Sequence, residues 1–462
     1  MLRKLIKKIT QASNSLIGAF VIAAGWSWYH FSKHNYWQFV FKATTVMLVV
    51  FIGYQIFKKI FKYLVNKTKR HPYWENEFYH RLDKLFFVFS LTFLIYFIRQ
   101  EILSIIYAIF ILCIIFWYLI LCYNHSMKNI DFLAIGDITI DAFIKIKDAH
   151  VHCKINTDAC ELCLRFGDKV PYESLDIIHA VGNGPNAAVA AARLGLNSAL
   201  MTNIGDDQNG KDCLAVLEKE KIDTTFVKIE KDKPTNYHYV LWYDVDRTIL
   251  IKHQNYERHW INTKEASERS KPAWVYLSSL GENSLPFHTE ISDYLKRHAD
   301  VKLAFQPGTF QMKFGTENLK DIYARTEIFF CNLEEAQRIL KTDEKEVSVL
   351  SKGIEKLGPK IVVISDGPKG AYLYLNGELW HNPIYPDIAP PLDRTGAGDA
   401  FSSTFTVALA LGKSPLEAFS WGPINSMSVI QYVGAQEGLL SREKLEEYLK
   451  NAPESYKTKK LT

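Results

Sequence analysis

The chain has 462 residues, 48% hydrophobic and 23% charged, with a formal net charge of +5; it is too long for one ordinary domain and too apolar for a disordered polymer. The charge is lopsided: residues 1–130 hold 16 Lys+Arg against 4 Asp+Glu, leaving 39 against 46 in the remainder. An acidic C-terminal part without a basic stripe excludes a nucleic-acid surface, and seven cysteines, an odd number, argue against a disulfide scaffold.

Four apolar runs open the chain, at residues 15–31, 36–57, 85–98 and 102–123. The second and fourth are long enough to cross a bilayer, and Trp26, Trp28, Tyr29, Tyr36 and Trp37 suit an interfacial aromatic belt. Arg3, Lys4, Lys7 and Lys8 precede the first run, and Lys58 to Lys84 fill the loop before the third. The positive-inside rule puts both segments in the cytoplasm, so residues 1–130 are expected to be a multi-pass transmembrane helical anchor in the lipid bilayer that returns the following part to the cytoplasmic side. A cleaved leader at the first run would send the basic loop outward, against its charge.

Around residue 150, His150, His152 and Cys153 stand close to Cys160 and Cys163. Such a set can hold zinc, or it can be reduced thiols on alternating strand positions.

From Asp131 onward, short apolar strands alternate with amphipathic helices, the rhythm of a parallel sheet covered on both faces. Strands are expected at Phe132 to Ile135, Ser198 to Thr202, Trp274 to Leu277, Lys302 to Phe305, Ile328 to Phe330 and Lys360 to Ile364. Ligands in such sheets lie beyond the carboxyl ends of the strands, so the loops that follow carry the site.

Those loops are chemically suggestive. Gly136-Asp137-Ile138-Thr139-Ile140-Asp141 follows the first strand, and Gly182-Asn183-Gly184-Pro185-Asn186 opens a helix. Then come Gly205 to Gly210, Asn332-Leu333-Glu334-Glu335, Ser365-Asp366-Gly367-Pro368-Lys369-Gly370, Asp393-Arg394-Thr395-Gly396-Ala397-Gly398-Asp399, and Gly434-Ala435-Gln436. In the sixth, Gly396, Ala397 and Gly398 can present successive amides at a helix N-terminus, which attracts a phosphate, with the Asp399 carboxylate beside it to accept a hydroxyl proton. Asn332 and Glu335, three apart, lie on one helical face and can equally cap that helix. Asp141 and Asn186 can bind hydroxyls, or cap a turn and a helix.

In this order, the motifs of residues 131–452 resemble the PfkB, or ribokinase-like, carbohydrate kinases. The resemblance implies a three-layer α/β sandwich with a mostly parallel central sheet and a small β lid, drawn from segments near 142–178 and 226–254. It implies ATP with Mg²⁺, Asp399 as catalytic base and Gly396, Ala397 and Gly398 as anion hole. Asn332, Glu335, Ser365, Gly367, Gly370, Arg394 and Thr395 correspond to the nucleotide side, with Glu335 organising Mg²⁺. Thr139, Asp141, Gly182, Asn183 and Asn186 correspond to the acceptor side. Asp393, with Thr395, matches a monovalent-cation site, so K⁺ is a further expectation, as is a homodimer through the lid. Two positions depart from the family pattern: Val181 stands where a glycine is usual, and Asn183 where a lysine is common. The expected activity is transfer of the γ-phosphate of ATP to a hydroxyl of a sugar or sugar-like molecule. A nucleoside kinase of the same fold and a catalytically silent sugar or nucleotide sensor remain as alternatives.

Overall fold

The computed structural model describes residues 130–153, 160–244, 246–260 and 271–461. The four N-terminal apolar runs lie outside the described residues. Among the described residues no helix is long and apolar enough to cross a membrane.

The strands, in chain order, are β1 Phe132–Ile135, β2 Thr139–Ile146, β3 His150–Cys153, β4 Cys160–Cys163, β5 Tyr172–Val181, β6 Ser198–Gly205, β7 Val227–Glu230, β8 Tyr237–Tyr243, β9 Asp246–Leu250, β10 Trp274–Leu277, β11 Lys302–Phe305, β12 Thr326–Asn332, β13 Ile361–Ser365, β14 Ala371–Leu375, β15 Glu378–Asn382 and β16 Lys459–Lys460. Among the described residues they form a central sheet in the order β16-β15-β14-β13-β12-β11-β10-β1-β6-β7, a lid sheet in the order β5-β2-β8-β9, and the isolated hairpin β3-β4. The pairs from β7 through β1 to β13 are parallel, and β14 to β16 run antiparallel at one edge. All six expected strands are present.

Their near-continuous apolar sequences follow from burial on both faces. In β1, Phe132 and Ala134 enter one core while Leu133 and Ile135 enter the other; Trp274 and Tyr276 of β10 alternate with Val275 and Leu277 in the same way. Helices α1 Asn183–Arg193, α2 Gln208–Lys219, α3 Leu285–Arg297, α4 Thr309–Asn318, α5 Lys320–Arg325, α6 Leu333–Leu340, α7 Val347–Glu355, α8 Ala397–Ala410, α9 Pro415–Val429 and α10 Arg442–Lys450 supply the outer layers. Residues of α1, α8 and α9 join the first core, and those of α3, α6 and α7 the second.

Helix α8 is buried nearly all round. Three of its four hydroxyls donate back to a carbonyl four residues earlier, Ser402 to Gly398, Ser403 to Asp399 and Thr406 to Ser402, and the fourth, Thr404, accepts from Asn425 Nδ2 at 2.8 Å. The Ala-rich α1 packs close to the end of β1. A Cβ on Gly184 would stand 2.9 Å from Gly136 Cα, so only glycine permits this approach.

The hairpin corrects the cysteine reading. Cys153 and Cys160, directly opposed in the β3-β4 register, form a disulfide, because register brings their Cα atoms to 4.1 Å. Cys163 is free, and among the described residues no three or more His, Cys, Asp and Glu side chains gather as a metal-binding cluster.

Candidate active site

Gly396 begins α8 with φ +80°, and a Cβ there would meet Ala435 Cβ at 2.3 Å. Having no side chain, it cannot cap the helix, so the first-turn amides receive no side-chain acceptor. Gly398 is exposed, and a Cβ on it would meet nothing within 4 Å. Ala397 N reaches the Arg394 carbonyl only at 3.5 Å; a helix end whose amides have no side-chain acceptor, with a positive dipole and open space above it, is what a phosphate requires.

Asp399 follows in the same turn and is 8% exposed. Its Oδ1 accepts from Asn183 Nδ2 at 2.7 Å and Gln306 Nε2 at 3.1 Å, and its Oδ2 accepts from Asn186 Nδ2 at 2.8 Å. Three neutral amides therefore orient the carboxylate without a cation. Burial raises its pKa above the usual carboxylate range, and the amides pull it only partly back. The holders are themselves held. Gln436 Nε2 donates to Asn186 Oδ1 at 2.9 Å and to the Ala180 carbonyl at 2.8 Å. The Tyr276 hydroxyl donates to Gln306 Oε1 and lies 2.8 Å from Ser402 Oγ.

The acceptor-side residues divide. Gly182, at φ +120°, begins α1, whose first turn brings Asn183 and Asn186 to Asp399. The asparagine at 183 is thus a working contact. Val181 is buried and closes β5 against Thr139. Asp141 lies on β2 of the lid, opposite His238 of β8. The Thr139 hydroxyl turns to the Ile140 carbonyl and does not join the cluster around Asp399.

On the nucleotide side, Asn332 and Glu335 form the reciprocal cap that their spacing allows: Asn332 Oδ1 accepts from Glu335 N at 2.8 Å, and Glu335 Oε2 accepts from Asn332 N at 2.9 Å. Burial raises the Glu335 pKa, the Asn332 amide opposes that, and the Asp399 charge pushes it further up. Two carboxyls that feel one another beside an anion-binding helix end suit a bound cation, so the residues present fit Mg²⁺ with a polyphosphate. Ser365 ends β13, and Gly367 and Gly370 turn the chain back at φ +52° and +93°. Asp393 Oδ1 accepts from Thr395 N and Oγ1, and its Oδ2 accepts from Gly434 N at 2.9 Å. Arg394 is exposed.

Sequence reasoning missed Gln306, Tyr276, Ser402 and His238 as contributors, and it left Gln436 in a motif without a role. For Gln306 a signal existed, since it is the first residue past the carboxyl end of β11.

Residues 154–442 match the family model described as pfkB family carbohydrate kinase. The chain belongs to that family. Strands β1 and β2 lie upstream of the matched segment and complete the sheet and the lid. Among proteins similar to this PfkB chain, an ATP-dependent 6-phosphofructokinase of Thermoanaerobacterium thermosaccharolyticum is 27% identical over 320 residues, 67% of this chain and 90% of that one. A ribokinase of Haemophilus influenzae is 26% identical over 278 residues, 59% and 87% of the two chains. A nucleoside kinase of Methanothermobacter thermautotrophicus is 24% identical over 231 residues, 50% and 72%. The fold matches the Arabidopsis thaliana ribokinase structure complexed with ribose and ATP, with TM-score 0.58, 20% identity and coverage of 70% of this chain and 99% of that one. The protein is an ATP-dependent PfkB phosphotransferase that acts on a hydroxyl of a sugar or nucleoside.

Proposed function

We propose that this PfkB kinase carries out in-line transfer of the γ-phosphate of ATP with Asp399 as the base. The observation that carries this reading is a buried carboxylate of raised pKa, held by Asn183, Asn186 and Gln306 beside the uncapped start of α8. Asp399 accepts the hydroxyl proton as that oxygen attacks phosphorus, and the first-turn amides stabilise charge on the phosphoryl oxygens. Glu335, with Asn332 orienting it, would help hold Mg²⁺. That ion supplies further neutralisation of phosphate charge when bound. Asp393 and Thr395 would border a K⁺ site, supported by the buried Asp393 carboxylate with the Thr395 hydroxyl 2.7 Å away; Arg247 Nη1 stands 3.9 Å from that carboxylate and would have to share it. An ADP-release assay over hexoses, pentoses, phosphosugars and nucleosides tests the reading; no acceptor-dependent ADP release across these classes would sink it.

The lid also supports a homodimer. Ile177, Ala142, Tyr239 and Leu250 stand side by side across the lid sheet, with Ile177, Tyr239 and Leu250 each about half exposed. An apolar sheet face of this kind calls for a covering partner, and a second copy offers the matching surface. Sedimentation of wild type and of Tyr239→Asp should give dimer and monomer respectively; two monomers would remove the idea.

For the N-terminal part we keep the multi-pass anchor, with the kinase domain on the cytoplasmic side, on the strength of the apolar runs and their flanking lysines and arginines. Protease added outside sealed cells should leave the kinase domain uncut, and digestion there would overturn the orientation. The Cys153–Cys160 disulfide counts against that side, because disulfides rarely persist in a reducing cytosol; alkylation of both cysteines in intact cells would support the cytoplasmic orientation, and their protection would overturn it.

A further inference from the structure

We infer that Gln436 is a positioning residue for the transfer: it fixes which end of the Asn186 amide faces Asp399, and so aims the base. The inference rests on Asp399 serving as that base, and it gives a role to the last residue of the Gly434-Ala435-Gln436 turn.

A side-chain amide is nearly symmetric in shape, with a donating NH₂ group at one end and an accepting oxygen at the other. Asn186 has to present Nδ2 to Asp399 Oδ2, which only accepts, and it does so at 2.8 Å. Turned over, the same amide would set an oxygen against the carboxylate. Asn183 is only half-buried, so water can serve its oxygen, whereas Asn186 is 4% exposed and needs a protein donor. Gln436 Nε2 is that donor, 2.9 Å from Asn186 Oδ1.

The second hydrogen on Gln436 Nε2 is committed as well. It goes to the Ala180 carbonyl at 2.8 Å. Ala180 sits where β5 bulges against β2: Thr139 pairs with Val181 but Asp141 with Ile178, and the buried alanine in between takes a left-handed φ of +60°. Two acceptors need two hydrogens on one nitrogen, which a neutral amide has and a carboxylate or hydroxyl lacks. The backbone of the glutamine is pinned too. Arg193 Nη1 donates to the Gln436 carbonyl at 2.7 Å and to that of Leu439 at 2.9 Å, while Glu220 holds the rest of the guanidinium at 2.9 Å. Two residues before Gln436, Gly434 N donates to Asp393 Oδ2 at 2.9 Å. Gln436 is therefore held from outside and sets the orientation of Asn186 rather than following it.

The test measures steady-state kinetics of the full-length protein with ATP and whichever acceptor releases most ADP in the panel of hexoses, pentoses, phosphosugars and nucleosides. Gln436→Met, of similar length and without a donor, should lower kcat about tenfold, the scale of one lost hydrogen bond, with KM for ATP unchanged. It should also move the acid limb of kcat/KM to higher pH, because a wandering Asn186 no longer offsets the burial of Asp399. Added to Asn186→Ala, the same substitution should change kcat by less than about twofold, since the residue it acts through is gone. Gln436→Glu gives a second reading that needs no apolar residue: as an acid it can donate one hydrogen and as a carboxylate none, so its kcat relative to wild type should fall as pH rises. Wild-type kcat in Gln436→Met, a full tenfold loss on top of Asn186→Ala, an acid limb that stays put, or a Gln436→Glu ratio independent of pH would overturn the inference. Turnover retained by Asp399→Asn would remove the base and the transfer reading beneath it, whereas turnover lost there and kept in Gln436→Met would remove the positioning role alone.

Discussion

Two buried aspartates in the same α/β body have been given opposite surroundings. Asp137, at the carboxyl end of β1, accepts from Arg258 Nε and Nη2 at 2.7–3.0 Å and from the Gly281 amide at 2.8 Å, with His253 Nδ1 3.2 Å away. Burial alone would raise its carboxyl, but His253 and the Arg258 guanidinium outweigh that and hold it below the usual range. Asp399, at the start of α8, has only neutral amides and stays above it. The first aspartate is charge-neutralised and ties the lid's return segment to the body through Arg258. The second keeps an unneutralised negative charge next to a phosphate site, the condition a base needs.

Asp137→Asn breaks the contrast most severely. It leaves a guanidinium 2% exposed without its anion, and should cost about 3–5 kcal/mol in urea unfolding. The pH signs also oppose. The depressed Asp137 gives stability that is fully present above the ordinary value of 3.8 and is lost as pH falls through its folded value. The raised Asp399 contributes stability that is present below 3.8 and lost as pH rises through its folded value. Acid unfolding of Asp137→Asn should therefore lose the Asp137 share of the stability loss below pH 3.8, with Asp207, Glu220 and Glu230 still contributing theirs; an unchanged acid limb would refute the pairing.

Next in size, Gly396→Ala forces a methyl into Ala435 and a left-handed φ on alanine, which should cost about 1–3 kcal/mol and lower Tm. A Tm equal to wild type would show that this turn tolerates a side chain. Gly398→Ala is its counterpart. No protein atom opposes the methyl, so stability should hold or rise slightly, by up to about 1 kcal/mol. The methyl shades the first-turn amides, however, and KM for ATP should rise about tenfold, the scale of one charge-assisted hydrogen bond; unchanged KM would remove these amides from phosphate binding. Smallest in effect, Gln306→Ala deletes one donor to Asp399. The carboxyl should rise further, moving the acid limb of the kcat/KM profile to higher pH with little change on the alkaline side. An acid limb that stays put would mean Gln306 does not tune the base.

The sheet and the site loops were legible because buried parallel strands read as short apolar runs and because glycine, aspartate and asparagine fall at their ends. Asp399, Asn183 and Asn186 could be named as site residues for that reason. Tyr276 escaped because a phenol on a strand looks like ordinary packing, and Gln306, just past the end of β11, escaped because a lone amide there carries no motif; only the fold links them to one carboxylate. Asp137 shows the converse: it sits in the same motif as Asp141, and nothing in the local sequence reveals that Arg258, 121 residues on, neutralises it. The Cys153–Cys160 disulfide escaped because pairing depends on strand register, whereas the Asn332–Glu335 cap was readable because it is local.

The most direct test of the account is ADP release by wild type and Asp399→Asn with a common acceptor, alongside ATP binding by both. The account predicts a loss of turnover of about 10²–10⁴-fold with ATP affinity and fold retained. Turnover near wild type in Asp399→Asn would contradict it, because no other carboxylate among the described residues is held beside the start of α8 in this way.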